Sequence, residues 1–315
     1  MDPFLCHPWL ADSRWLNTND YLRALSKRHP ERLKDDGLLA AYESMAVLCM
    51  AYPSEPVAHK GAGYGRLARY TYGDDYHRMF AEVFSTLESR YKAVGVAAKG
   101  YADISPVDER FAAAEAGLGY IGHNQLLIHP ELGTYFFIGV LLVDIPTPQN
   151  PQAVRDDCGV CRQCVRACPT GALGDVFKIR QCSSYVTQAK IPLTPADVKP
   201  LKTVLFGCDI CQKVCPKNHH VKPPQHDLFR PDEAAELHLP TLLSQSNKQL
   251  QKKYGNYAFM FRGGLVLKRN AFALLYTQNH LASLPLMRVV FAQYAHVPWF
   301  ADTASWIIEA MEASL

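Results

Sequence analysis

The 315-residue chain contains no apolar run approaching the ~20 residues that a membrane-crossing helix needs. That excludes a helical membrane protein. Its start, MDPFLCHPWLADSRW, shows no basic region followed by an apolar stretch and a small-residue cleavage site. Without a secretion signal the expected location is the cytoplasm. There is no low-complexity tract, and 48% hydrophobic against 20% charged residues describes a globular chain rather than a disordered one. The most informative lack is of negative charge. No Asp or Glu lies between Glu236 and Asp302, whereas Lys248, Lys252, Lys253, Arg262, Lys268, Arg269 and Arg288 all do. A stretch carrying charge of only one sign attracts polyanions, because neutralising phosphates releases counterions. The plainer alternative is the solvated face of a helical domain.

Cysteine, by contrast, is abundant: ten in all, eight of them between residues 158 and 215. A disulfide framework does not suit a chain without a secretion signal, so metal ligation is the better reading. Cys158-x2-Cys161-x2-Cys164-x3-Cys168-Pro169 has the bacterial ferredoxin spacing, in which the fourth cysteine serves the other cluster of a pair. Cys208-x2-Cys211-x3-Cys215-Pro216 supplies three more thiols, and Cys182 stands alone between the runs. The arithmetic closes if Cys158, Cys161, Cys164 and Cys215 hold one four-iron four-sulfur cluster and Cys168, Cys182, Cys208 and Cys211 the other. A pair of zinc sites is the alternative, but zinc sites rarely show a CxxCxxCxxxCP run. Cys6 and Cys49 fall outside the block and read as buried or incidental thiols. Two saturated clusters form a wire, which implies a redox centre at its end.

The organisation predicted is an α/β N-terminal domain (1–150), a bacterial ferredoxin-like two-cluster domain (151–220) and a C-terminal α-helical domain (221–315). MAVLCMAY (45–52), QLLIH (125–129) and TYFFIGVLLVDI (134–145) read as strands. Residues 75–94 and 109–119 read as helices, the first with Tyr76, Met79, Phe80, Val83, Phe84 and Leu87 on one stripe. Pro146, Pro148 and Pro151 mark the first boundary and VKPPQ the second. The remainder reads as helices over 239–255, 267–279, 284–295 and 302–313.

Between Arg32 and the C-terminus the chain resembles the epoxyqueuosine reductase family, cobalamin-dependent iron–sulfur relatives of the reductive dehalogenases. The resemblance rests on GRLARYTYGDDYH (65–77), KGYADISPVDERFAAAEAGLGYIGHNQLLI (99–128), GTYFFIGVLLVDIP (133–146), CPTGAL (168–173), CSSY (182–185), FGCDICQKVCP (206–216) and FRGGLVLKRNA (261–271). It implies reduction of an epoxide on a modified base, at the wobble position of tRNAs with queuosine-type anticodons, to the alkene. It implies cobalamin bound between the α/β and cluster domains, fed by two 4Fe-4S clusters and an external electron donor, in a monomer with a HEAT-like helical tail. Asp103 matches the proton donor, and burial would have to raise its pKa for that role; the plainer role is a cap on the helix that starts near Pro106. Arg32, Ala68, Asp108, Asn124, Leu126 and Gly133 match cobalamin contacts, with Ser184 and Asp209 beside the clusters. Arg262, Lys268 and Arg269 are the expected tRNA contacts. His123 stands where the family usually has lysine, and Val140 where it often has glutamate. A cobalamin-dependent reductase of a small molecule, dehalogenase-like, has no use for the acid-free tail. A plain electron-transfer ferredoxin leaves Asp103 without a purpose.

Overall fold

The computed structural model describes residues 3–33, 37–55, 57–148 and 151–315. The strands are β1 (Asp12–Asn17), β2 (Ser44–Ala51), β3 (Tyr64–Leu67), β4 (Ala98–Tyr101), β5 (Tyr120–Ile121), β6 (Leu127–Ile128), β7 (Phe136–Val143), β8 (Val204–Phe206) and β9 (Glu236–His238). The helices are α1 (Thr18–Arg28), α2 (Tyr76–Ala93), α3 (Glu109–Glu115), α4 (Gln163–Ala167), α5 (Ser183–Gln188), α6 (Pro195–Val198), α7 (Ile210–Lys213), α8 (Leu239–Ser244), α9 (Asn247–Tyr254), α10 (Gly264–Thr277), α11 (Leu284–Tyr294) and α12 (Pro298–Glu312). They form two compact units of three chain segments each. The first holds residues 1–54, 76–162 and 215–228; the second holds 55–75, 163–214 and 229–315.

The first unit is built on an antiparallel sheet in the order β1-β2-β7-β4. Every residue of β2 is buried, as its unbroken apolar sequence requires of a central strand. Met45, Val47, Cys49 and Ala51 alternate onto one face, where Tyr21 and Leu25 of α1 and Phe111 and Ala112 of α3 cover them. Each such large side chain removed from water contributes roughly 1.5–3 kcal/mol before entropy is subtracted. On the other face α2 lies close to the sheet because two strand residues lack side chains. A Cβ at Gly139 would stand 2.4 Å from Phe80, and one at Gly100 would stand 2.0 Å from Phe84. The strand expected over 125–129 is only the two-residue β6, paired with β5. The polar edge strand β1, DSRWLN, had no apolar run to announce it.

The second unit has the small sheet β8-β3-β9, with β3 parallel to β8 and antiparallel to β9. One hydrophobic core joins Leu67 of β3, Leu193, Leu205 of β8 and Leu237 of β9 to Phe259, Phe272, Met287, Phe300 and Ile307 of the tail. The consecutive boundaries expected at 150 and 220 therefore do not follow the packing. The cysteine block divides after Arg162 and again at Cys215, and residues 55–75 pack with the tail. The helix expected over 239–255 is two, α8 and α9, because Ser246 forms a capping box with Gln249 and restarts the chain. Helix α10 is buried on nearly every side, polar residues included.

Candidate functional site

Beyond β4 the chain turns through Asp103 at φ 61°, a left-handed conformation that non-glycine residues rarely adopt. The turn brings its carboxylate to the first turn of α2. Oδ2 accepts the Tyr76 hydroxyl and lies 3.0 Å from Nε2 of His77. The Tyr76 ring is itself fixed flat against Phe137 of β7, with centroids 4.1 Å apart. Burial alone would push Asp103 up, but the hydrogen bonds from His77 and Tyr76, with the His77 charge, outweigh it and hold the carboxyl below its ordinary value. This corrects the expectation that burial raises Asp103. The adjacent Glu109 behaves in the opposite way. Burial first, and then the charge of Asp103, raise it to about 8 although the Asp103 amide donates to it. Its Oε1 is buried without a partner. Sequence reasoning missed His77 and Glu109, and read Tyr76 as part of an apolar stripe. The available signal was the TyrHis pair that closes GDDYH.

Other expected cofactor residues of this unit surround α3 and the β5–β6 turn. Arg32 and Asp108 pair with each other at 3.0 Å, and Asp108 also caps α3 through the Phe111 amide. The cap of that helix is therefore Asp108, not Asp103 as the plainer reading of Asp103 had it. Asn124 is buried; its Oδ1 accepts the Leu126 amide, while its Nδ2 finds no partner. An unsatisfied buried amide costs about 1–3 kcal/mol, so this donor fits a ligand acceptor. Gly133 cannot carry a side chain: its Cβ would stand 2.0 Å from Asn218 Oδ1. His123 reaches the carbonyl of Gly159, between two of the cysteines, at 3.1 Å. Val140 is fully buried in the sheet.

Cys158, Cys161 and Cys215 lie in the first unit, and Cys164, Cys168, Cys182, Cys208 and Cys211 lie in the second. In the first, Cys215 packs with Tyr120, Ile128 and Cys158, and burial followed by the charges of Cys158 and Cys161 pushes its thiol up. In the second, burial, Asp209, Cys182 and Cys168 push Cys208 up to about 12. Burial followed by Cys208, Cys182 and Cys164 pushes Cys211 higher still. Thiols crowded so that each opposes ionisation of the next make a donor set that a cationic core completes. Cys168 differs. Burial raises it, but amides of Leu173, Thr170 and Ala172 in the CPTGAL turn face its sulfur and bring it below its ordinary value. The Ser183 hydroxyl, next to Cys182, is buried without a partner. Cysteine thiols in this spacing are the donor chemistry that iron–sulfur clusters use.

Ala68 and Asp209 stand beside this cage. A Cβ on Gly207, the residue before Cys208, would meet that of Ala68 at 2.7 Å. Asp209 is buried and takes Nη1 of Arg69 at 3.0 Å and Nζ of Lys213 at 2.9 Å, so its carboxylate braces the cysteine loop. Ser184 accepts from Gln188 Nε2 at 3.1 Å.

Two of the three expected tRNA contacts are withdrawn. Lys268 is 1% exposed and its Nζ donates to the carbonyls of Leu242, Leu243 and Gln245; Arg269 is 0% exposed and donates to Val186, Ala189 and Ile191. Neither presents charge to a phosphate, because the helix that carries them is buried. Arg262 is exposed, with its guanidinium 4.6 Å from the centroid of the exposed Phe261 ring. Arg288 pairs with Glu312 and Lys253 approaches Glu233. Lys248 and Lys252 are exposed one turn apart on α9.

The model of the epoxyqueuosine reductase QueG family (DUF1730) matches residues 32–103, and that of the 4Fe-4S double cluster binding domain matches 157–218. Epoxyqueuosine reductase of Staphylococcus aureus (strain NCTC 8325 / PS 47) is 33% identical over 279 residues, 86% of this chain and 73% of that one. The enzyme of Listeria monocytogenes is 34% identical over 299 residues, 89% and 76% respectively. A crystal structure of epoxyqueuosine reductase with an epoxyqueuosine-modified tRNA-Tyr stem loop superposes with TM-score 0.85 at 26% identity, over 96% of this chain and 86% of that one. The Bacillus subtilis enzyme, solved with its catalytic aspartate loop swung out of the active site, gives TM-score 0.83 at 26% identity, over 96% and 87%. Sequence, cluster spacing and fold thus converge, and the chain belongs to the epoxyqueuosine reductase family.

Proposed function

We propose that this protein reduces epoxyqueuosine to queuosine at the wobble position of tRNA. The observation that carries the reading is the Asp103 carboxylate, held by Tyr76 and His77 at the end of β4 in a chain that also bears a double-cluster domain. Converting an epoxide to an alkene takes two electrons and two protons and releases water. The electrons come from an external donor through the clusters, held by Cys158, Cys161, Cys164 and Cys215 and by Cys168, Cys182, Cys208 and Cys211. Bound cobalamin would supply the two-electron chemistry at the epoxide. Arg32, Asp108, Asn124, Leu126 and Gly133 of the first unit are the residues we assign to hold it, and the unpartnered Asn124 amide supports that assignment; Ala68, Ser184 and Asp209 of the second unit are assigned to the surroundings of the second cluster.

The chain itself moves the protons. An alkoxide is basic enough to draw a proton through the Asp103–His77 pair even though Asp103 rests ionised. His77 Nε2, 3.0 Å away, restores it, and Tyr76 fixes the carboxylate's aim. The division of labour is an α/β cofactor region, a two-cluster region and a HEAT-like helical region. Lys248, Lys252 and Arg262 of the last would take tRNA phosphates. The test compares turnover of epoxyqueuosine in a tRNA stem loop with that of the free nucleoside. A tRNA enzyme prefers the stem loop by orders of magnitude. Equal efficiency on both would favour a small-molecule reductase.

A further inference from the structure

We infer that Arg269 and Asn270 are positioning residues for the second cluster, fixing from α10 the two segments that deliver Cys182 and Cys208. The inference rests on the assignment of Cys168, Cys182, Cys208 and Cys211 as that cluster's ligands.

Arg269 is a fully buried guanidinium with no carboxylate within ion-pair distance among the described residues. Burying such a charge is expensive, and an apolar side chain would fill the space at lower cost. What the apolar residue cannot supply is the fork of five N–H donors, and every one is used. Nη1 donates to the carbonyls of Ala189 at 2.5 Å and Ile191 at 2.7 Å. Nη2 donates to the carbonyl of Val186 at 2.8 Å and to Asn270 Oδ1 at 2.7 Å, and Nε donates to the same oxygen at 3.1 Å. Asn270 passes the link on: its Nδ2 donates to the carbonyls of Thr187 at 2.7 Å and Leu205 at 2.8 Å.

The carbonyl acceptors of this pair belong to two segments. Val186 and Thr187 lie in α5, Ala189 and Ile191 just beyond it, and Cys182 is the N-cap of that helix. A helix this short leaves its last carbonyls without intrahelical partners, and a cation there also opposes the dipole's negative end. Leu205 lies in β8, three residues before Cys208. Thr187 closes the ring, since its hydroxyl donates to the Ser183 carbonyl at 2.8 Å and accepts the Gly207 amide at 3.0 Å. Ser183 follows Cys182 and Gly207 precedes Cys208. The two thiols, far apart in sequence, are thus held in mutual register through one buried side-chain pair. Apolar packing alone would permit the segments to slide, and a cubane tolerates little error in where its ligands stand.

The test reconstitutes the full chain anaerobically and measures iron, acid-labile sulfide, the electron paramagnetic resonance of each reduced cluster, and tRNA affinity at several salt concentrations. Arg269→Lys keeps the charge but loses the fork, and Asn270→Ala removes the onward bonds. Either should lower iron from about eight toward about four per chain, as two cubanes require, or shift the second cluster's signal and midpoint potential. The first cluster's signal and the salt slope of tRNA binding should stay as in the wild type. Thr187→Val is the milder variant should those fail to fold; it should alter only the second cluster's signal. Cys182→Ala separates the two claims. If it removes one cluster while Arg269→Lys, Asn270→Ala and Thr187→Val leave iron, signals and potentials unaltered, the positioning role is overturned and the ligand assignment stands. If Cys182→Ala leaves both clusters intact, the ligand assignment itself falls, and the positioning role with it.

Discussion

Nε2 of His77 lies 3.0 Å from Oδ2 of Asp103, on the carboxylate oxygen that also accepts the Tyr76 hydroxyl. An imidazole and a carboxylate so placed can hold and pass a proton at the left-handed turn. Asp103→Asn should retain clusters and tRNA affinity yet lose roughly 10²–10⁴-fold in single-turnover rate, the usual contribution of a general acid. His77→Gln should fall between that variant and wild type, because Asp103 remains but its proton returns more slowly. Near-normal turnover of Asp103→Asn would leave Asp103 only the structural role of anchoring Tyr76 and His77.

Glu109 gives a pH dependence of definite sign. Its folded pKa, raised to about 8, exceeds the value in an unfolded chain, so between the two the native state binds more protons. Its contribution is therefore fully present below the unfolded value and is lost as pH rises through about 8. Asp103, lowered, acts in the reverse sense and only in the acid range. Glu109→Gln should thus gain thermal midpoint relative to wild type on going from about pH 6 to about pH 9. Parallel curves for the two proteins would contradict it.

The sequence made some of this legible and hid the rest for physical reasons. Strand β2 and helix α2 could be read because burial on both faces, or on one stripe, leaves a strong periodic signal. The cysteine spacing announced the clusters directly. Lys268 and Arg269 misled, because a charge run on paper is the same whether the helix lies on the surface or in the core. Only the carbonyls left open at the ends of α5 and α8 distinguish the cases, and those come from distant parts of the chain. Beyond the TyrHis pair that closes GDDYH, the significance of His77 and Glu109 depends on a left-handed turn at Asp103 that no pattern of residue types encodes.

The exposed cations Lys248, Lys252 and Arg262 should carry the phosphate contacts. Replacing all of them with alanine should weaken binding of modified and unmodified tRNA alike and reduce the salt slope by about 1 for each phosphate no longer neutralised. Affinity measured across a salt series checks this. An unaltered slope would make α9 and its neighbours a solvated basic face.

Lys268 should behave as a structural residue. Lys268→Met leaves the carbonyls of Leu242, Leu243 and Gln245 without their shared donor. The expected loss is about 1–3 kcal/mol, read as a lower denaturant midpoint, with the salt slope of tRNA binding unmoved. A reduced slope with undiminished stability would restore Lys268 to the tRNA surface.

The most direct measurement is nucleoside mass spectrometry of epoxyqueuosine-bearing tRNA after anaerobic incubation with the reconstituted protein, cobalamin and a counted supply of electrons. The expected result is conversion to queuosine, with loss of one oxygen and two electrons consumed per product. Omitting cobalamin should abolish the conversion, and Asp103→Asn should nearly do so. Full retention of the epoxide by a protein with both clusters intact and reducible would contradict the proposed reaction.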